Sequence, residues 1–421
     1  MDPDTRYATT LLAELRDRAV PPLDVDVDRA VATGRRRVRV RRTVVGVVAA
    51  VTGLAVVAGT LVALDRVGAR TDAPAPQVAA STGSAASTGG PAAVACSVRA
   101  LPVPNGVSAS TTAIDPGGRY VAGYVPGSEE TGANGSALLW DGERLRDLGV
   151  PGFAAAPSGV NSAGTVVGTV SRDHRQVAWV YRNGTVTTLP ALNGQEMSAE
   201  GINERGDIVG VAYGENDRNT AVVWPAGQPG SVRTLVTSHL AGAYDVAADG
   251  TAAGAGTDGH PFLWTPDGAG RQLPNLTTAT GGTVLGLAGT WAYGVATVKL
   301  DGTLDPDPSG KAGAGLMTRK WSVRWNLAGD GRVEEVPGVE PAVVTVDGAM
   351  AGTTTEVKPQ RPYRSAVVWR PGGAPEPLPA LNAQRDHSSA TAGTPDGKVI
   401  VGEESTGTAT ETRTVPVRWA C

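Results

Sequence analysis

The chain has 421 residues, with 37 Lys plus Arg against 41 Asp plus Glu and a net charge of −4, so no global basic footprint for nucleic acid exists. With 56 Gly, 30 Pro and only 19% charged residues, it reads as turn-rich and poor in long surface helices, which points to an all-β body. The composition is uneven along the chain, and four segments follow from it.

Residues 1–42 form a cytoplasmic tail. Thr5 to Ala19, with Leu11, Leu12 and Leu15 on one side, makes a short amphipathic helix behind the cap Asp4, and Pro21-Pro22 ends it. A helix this short is marginal in water, which leaves room for a cytoplasmic protein partner to order it. The basic end of the tail carries Arg35, Arg36, Arg37, Arg39, Arg41 and Arg42.

Residues 43–64, TVVGVVAAVTGLAVVAGTLVAL, contain no charge. At about 1.5 Å per residue such a run crosses the roughly 30 Å hydrocarbon core, so a transmembrane helix is expected. The positive-inside rule puts the arginines in the cytoplasm as a topology anchor, leaving the C terminus outside. A cleaved signal peptide is the competing reading. The apolar run exceeds a signal core, the preceding region is long, and no clean A-x-A site follows at once, which favours an uncleaved signal anchor. Residues 65–95 are rich in Ala, Ser, Thr, Gly and Pro, the composition of a disordered stalk.

Residues 96–421 repeat. A strand glycine recurs at Gly123, Gly168, Gly210, Gly254, Gly294, Gly352 and Gly402. Each is followed by a strand-end tryptophan, at Trp140, Trp179, Trp224, Trp264, Trp325, Trp369 and Trp419. In the clearest unit the strands are SAEGIN, DIVGVAY, TAVVW and SVRTLV, with a turn at Asn203-Glu204-Arg205-Gly206, and a Leu-Pro signature often closes the fourth strand. A period of 40 to 58 residues carrying four short strands is a propeller blade, and seven copies predict a seven-bladed β-propeller.

The pattern resembles the HAF family of extracellular repeats. The matching residues are Asn161 to Gly168, Ile202 to Gly210, and Gly259-His260-Pro261-Phe262-Leu263-Trp264. The resemblance implies a propeller-like, exported repeat protein and no particular activity. Blades five and six lack the Ile-Asn turn of that pattern. The tail is similar to those of actinobacterial single-pass proteins that travel with alternative sigma factors, without the His/Cys zinc motif of many anti-sigma domains.

Leu101-Pro102 is a fourth-strand signature, whereas the chain ends on a third strand at Trp419. The closing blade is therefore composite. Cys96 and Cys421 fall where other blades have the turn between third and fourth strands, Gly142 and Glu143 in blade one, Tyr181 and Gly184 in blade two. A Cys96–Cys421 disulfide would replace that turn, and it requires an oxidising compartment.

Catalytic signatures are sparse. His174, His239, His260 and His387 are the only histidines, and no G-x-S-x-G or H-E-x-x-H occurs. Asp173-His174 and Asp386-His387 read as turn residues, and Glu129-Glu130, Glu334-Glu335 and Glu403-Glu404 as solvated strand ends or loops. No cofactor or metal site is expected. The insertion from Lys299 to Lys320 is either a functional loop or a disordered excursion. These features favour a non-enzymatic envelope protein whose propeller binds a ligand or protein outside. The alternatives are an exported propeller hydrolase or lyase and an inert surface or assembly protein.

Overall fold

The computed structural model describes residues 96–421, except 105–106, 128–133, 229, 300–317, 330, 358–361, 382–386 and 409–410. The tail with its six anchoring arginines, the 43–64 span, the stalk, Glu129-Glu130, Asp386 and most of the Lys299–Lys320 insertion lie outside the described residues. Among the described residues no helix is long and apolar enough to cross a membrane.

The described chain is a ring of seven four-stranded antiparallel sheets. It opens with β1 (Ser97–Ala100), the outermost strand of blade seven. Blade one is β2 (Ser110–Ile114), β3 (Tyr120–Val125), β4 (Ser136–Asp141) and β5 (Arg144–Asp147). Blade two is β6 (Phe153–Val160), β7 (Val166–Arg172), β8 (Arg175–Arg182) and β9 (Thr185–Thr188). Blade three is β10 (Glu196–Ile202), β11 (Ile208–Tyr213), β12 (Arg218–Trp224) and β13 (Arg233–His239). Blade four is β14 (Gly242–Val246), β15 (Ala252–Ala255), β16 (Pro261–Trp264) and β17 (Gly270–Gln272). Blade five is β18 (Ala279–Ala288), β19 (Trp291–Lys299), β20 (Thr318–Asn326) and β21 (Val333–Glu335). Blade six is β22 (Val339–Val344), β23 (Met350–Val357), β24 (Pro362–Trp369) and β25 (Glu376–Pro377). Blade seven is completed by β26 (His387–Gly393), β27 (Val399–Thr408) and β28 (Glu411–Ala420). Its strand order β26-β27-β28-β1 makes it composite, as the sequence predicts. First strands of consecutive blades touch all the way round, including β26 against β2, so they line the axis and the fourth strands form the rim.

The recurring glycine has a spatial cause. In every blade the first strand carries a register shift, for instance between Ala199 and Gly201 or between Ala390 and Ala392. This bulge pushes a carbonyl oxygen toward the strand glycine opposite. A Cβ at Gly210 would approach Ser198 O, and one at Gly402 would approach Ser389 O, well inside the 3.0 Å that real Cβ atoms respect. The same pairing of glycine and bulge recurs at Gly123, Gly168, Gly254, Gly294 and Gly352. A β-bulge bends the strand and raises its twist, which suits the crowded inner edge of a ring.

Tryptophan occupies one register position in six blades, not seven. Trp140, Trp224, Trp264, Trp325, Trp369 and Trp419 each pair with the residue two before the strand glycine. In blade two, Trp179 pairs with Gly168 itself and Tyr181 holds the tryptophan position opposite Val166. The turn equivalent to the two cysteines is accordingly Asn183-Gly184, not Tyr181 and Gly184. The sequence frame slips there because the bulky residue is displaced by two within its strand, which keeps it on the same sheet face.

Leu-Pro also finds a reason. The Leu101, Leu148, Leu189, Leu273 and Leu378 amides donate to the neighbouring third strand. In the four of these that precede a proline, the next carbonyl then accepts from an indole of the following blade: Trp140 Nε1 to Pro102 O at 2.7 Å, Trp224 to Pro190 at 2.9 Å, Trp325 to Pro274 at 2.7 Å and Trp419 to Pro379 at 2.7 Å. These bonds staple one blade to the next. A further tryptophan, Trp291, lies outside the repeat frame. The Arg324 guanidinium stacks between Trp291 at 4.3 Å and Trp369 at 4.9 Å and pairs with Glu334, locking blade five to blade six.

Candidate functional site

The turns between first and second strands lie on one end of the ring and carry a polar belt. Asn161 Nδ2 donates to Asn203 O at 3.1 Å, and Asn203 Nδ2 to Ala247 O at 2.9 Å, each reaching one blade onward. Each Asn Oδ1 also accepts two amides of its own turn, as Asx turns do. The Ile-Asn of the repeat is therefore a blade-to-blade connector. Gly164 and Gly206 complete these turns with φ of 70° and 91°, conformations that favour glycine.

The axis side of blades three to five gathers ionisable groups. Glu200 sits in the bulge of β10 and Tyr244 in the bulge of β14, both ten residues before their strand glycine. Next to them stand Asp245 on β14, Tyr213 at the end of β11 and Tyr293 on β19. All five are partly solvent-exposed. Tyr213 Oη donates to Ser198 Oγ at 3.1 Å, and Tyr293 Oη to Ala342 O of blade six at 2.7 Å. Asp245 accepts the Val246 amide at 2.8 Å and, across the blade boundary, the Leu287 amide at 2.7 Å.

Crowding sets the charge state of this wall. Desolvation pushes the Glu200 carboxyl up to about 7, against a bond from Ser198 that lowers it. Desolvation likewise raises Asp245 to about 6, against its two amide bonds. The Tyr213, Tyr244 and Tyr293 hydroxyls are held well above the usual phenol range by the same desolvation and by these carboxylates. Two carboxyls near neutrality among phenols can accept and donate hydrogen bonds and can take or give a proton close to pH 7.

The residues singled out in the sequence fall elsewhere. Cys96 and Cys421 form a disulfide with Cα atoms 4.0 Å apart, slightly closer than the roughly 4.4 Å lower end of the usual range. They flank the first rung of the β1–β28 ladder, Ser97 opposite Ala420. The four histidines share the end of the ring opposite the Asn belt, but in different blades: His174 in the β7–β8 turn, His239 closing β13, His260 before β16 and His387 opening β26. Asp173 and His174 have φ of 49° and 60° as the two residues of a tight hairpin turn, as expected. Among the described residues no group of three or more His, Cys, Asp and Glu could hold a metal ion.

Glu404 departs from its expected place on the surface. It is fully buried in β27, and its Oε1 accepts the Leu381 amide at 3.2 Å. It falls on the buried phase of the strand, with Gly402 and Glu404 buried and Glu403 and Ser405 half-buried beside them. The wall of Glu200, Tyr213, Tyr244, Asp245 and Tyr293 was not singled out from sequence. Its one sequence signal is frame alignment, which sets Glu200 and Tyr244 at the position of Ser158 in blade two. A shallow groove of about 440 Å³ lies between blades four and five on the Asn-belt end, lined by Leu263, Arg271, Leu287, Thr290 and Leu327 among others.

No family model and no curated protein sequence matches the chain. Among solved structures, the chain is similar to the β-propeller domain of the Trilobed protease from Pyrococcus furiosus, described as having an open velcro topology. Identity there is 10% over 73% of this chain and 93% of that one, with a TM-score of 0.46. It is similar to YCF48 bound to D1 peptide at 10% identity over 77% and 97%, TM-score 0.44. A puromycin-hydrolyzing peptidase of Mycobacterium tuberculosis shows 16% identity over 76% of this chain and 54% of that one, TM-score 0.46. These likenesses concern the fold and assign no activity.

Proposed function

We propose that the chain is a membrane-tethered binding protein of the HAF-repeat type, held by residues 43–64, with its propeller outside the cytoplasm. Its ligand or protein partner contacts the axis-side wall of blades three to five, and the tail reports the bound state inside. The observation that carries this reading is the Cys96–Cys421 bond across 325 residues of chain, which persists only where thiols are kept oxidised. A closed, stapled ring is a stiff frame on which a wall such as Glu200–Tyr213–Tyr244 keeps its geometry.

The test is a protease added to intact cells that express the full chain with an N-terminal epitope. The propeller should be digested while the epitope stays membrane-bound and protected, and non-reducing peptide mapping should yield the Cys96–Cys421 peptide. A protected propeller with two free thiols would sink the proposal. The near-neutral Glu200 supports a second reading, an exported hydrolase using that carboxyl as proton donor. Release of a defined product from envelope material, abolished by E200Q with unchanged unfolding temperature, would replace binding by catalysis.

A further inference from the structure

We infer that the Cys96–Cys421 disulfide is a mechanical clamp: it takes tension arriving through the chain before Cys96 and passes it to β28, so that the tension cannot peel the outermost strand β1 from β28. The inference rests on the proposed membrane tether only for the source of the tension.

Four observations place the clamp. Cys96 is the residue immediately before β1, and β1 is a rim strand of four residues paired on one side only. Its rungs are Ser97–Ala420, Val98–Trp419, Arg99–Arg418 and Ala100–Val417. A pull on residue 95 without the disulfide would load Ser97–Ala420 first and open the ladder one rung at a time, because only the rung nearest the load bears it. Beyond the fourth rung lies the closure of the ring itself. Leu101, 2% exposed, packs with Trp140, Val121, Leu138 and Val401 at the boundary of blades seven and one, and Pro102 O accepts the Trp140 indole.

Peeling β1 would therefore extract the plug that joins the last blade to the first. The Arg99–Glu143 ion pair is exposed and offers little resistance. With the disulfide in place, the load crosses a covalent bond before it reaches any rung. It then enters β28, the third strand of blade seven, which is paired on both sides by β27 and β1.

The test pulls on the full chain in a lipid nanodisc. One handle is at the N terminus, and the other is a ligation tag inserted after Gly227, an exposed glycine with no atom near its missing Cβ. Beyond the extension of residues 1–95, oxidised protein should lengthen no further before the ring unfolds. Adding reductant to the same folded molecule under low load should create an early step at severalfold lower force. That step should release residues 97–109, about 45 Å at the roughly 3.5 Å per residue of an extended chain. The C96S/C421S double variant should behave as the reduced wild type does. A first rupture of equal force and length before and after reduction would overturn the clamp. Because tension is applied directly, that result would stand apart from any failure of the membrane reading, which the protease test decides.

Discussion

The strand glycine answers to space, since its neighbour's carbonyl occupies the volume of a side chain. G210A would drive a Cβ into Ser198 O, a backbone atom that cannot rotate away. We expect it to cost about 3 kcal/mol or more, as rigid overpacking does. G227A, at an exposed turn with open space around the missing Cβ, should be neutral or up to about 1 kcal/mol stabilising. Urea unfolding of both variants checks the contrast, and equal effects would refute the bulge explanation. Glu200 yields a second residue-scale prediction. Its carboxyl sits near 7 in the fold against an ordinary 4.5, so the folded state holds the proton more tightly than the unfolded chain. The associated stability is fully present below about pH 4.5 and is lost as pH rises through 7. E200Q carries no charge to desolvate. It should match the wild type near pH 4 and exceed it by about 1–3 kcal/mol near pH 8, as read from urea melts across that range. Asp245 shifts in the same direction but is present in both proteins, so its contribution cancels.

At the scale of the strand, tryptophan plays two roles that a common residue name conceals. Trp419 Nε1 bonds to Pro379 O at 2.7 Å, whereas the buried Trp179 Nε1 has no partner. W419F keeps a ring but strands a carbonyl at the boundary of blades six and seven, and should cost about 1–2 kcal/mol more than W179F. Chemical denaturation of the pair measures that difference, and equal losses would show that the staple carries no stability. Blade number, strand order and the composite closure were legible because Gly, Trp and Leu-Pro each mark a fixed place in the blade, one set by a bulge and the others by the staple. Trp179 misled the frame, since Tyr181 fulfils the pairing role with its hydroxyl accepting from Arg146 of blade one at 2.7 Å. The axis-side wall was illegible for two physical reasons. A bulge shifts the alternation by one residue, so the inward face cannot be read across it. Its members also come from successive blades, and the ring alone brings Glu200 and Asp245 to one side.

For the molecule as a whole, every blade boundary but one joins segments close in sequence. The exception, blade seven against blade one, is held by Ser108 with Thr414 and by Thr111 with Thr391, contacts 306 and 280 residues apart, while the disulfide joins β1 to β28 within the composite blade seven itself. Those noncovalent contacts, with the β1–β28 ladder, keep the ring closed when the covalent bond is absent, so removing the bond should weaken the fold without abolishing it. In the chain-entropy picture the bond acts on the unfolded chain, where a loop of this size corresponds to an upper limit of about 5–6 kcal/mol. C96S and C421S should each lower the unfolding temperature by a similar amount, and the double variant should fall little further because all three lose the same crosslink. Reductant should bring the wild type to the level of the variants and leave the variants where they are. Calorimetry of the four proteins with and without reductant makes the comparison. Additive losses would mean that the cysteines contribute through packing and not through the bond that joins the two ends of blade seven.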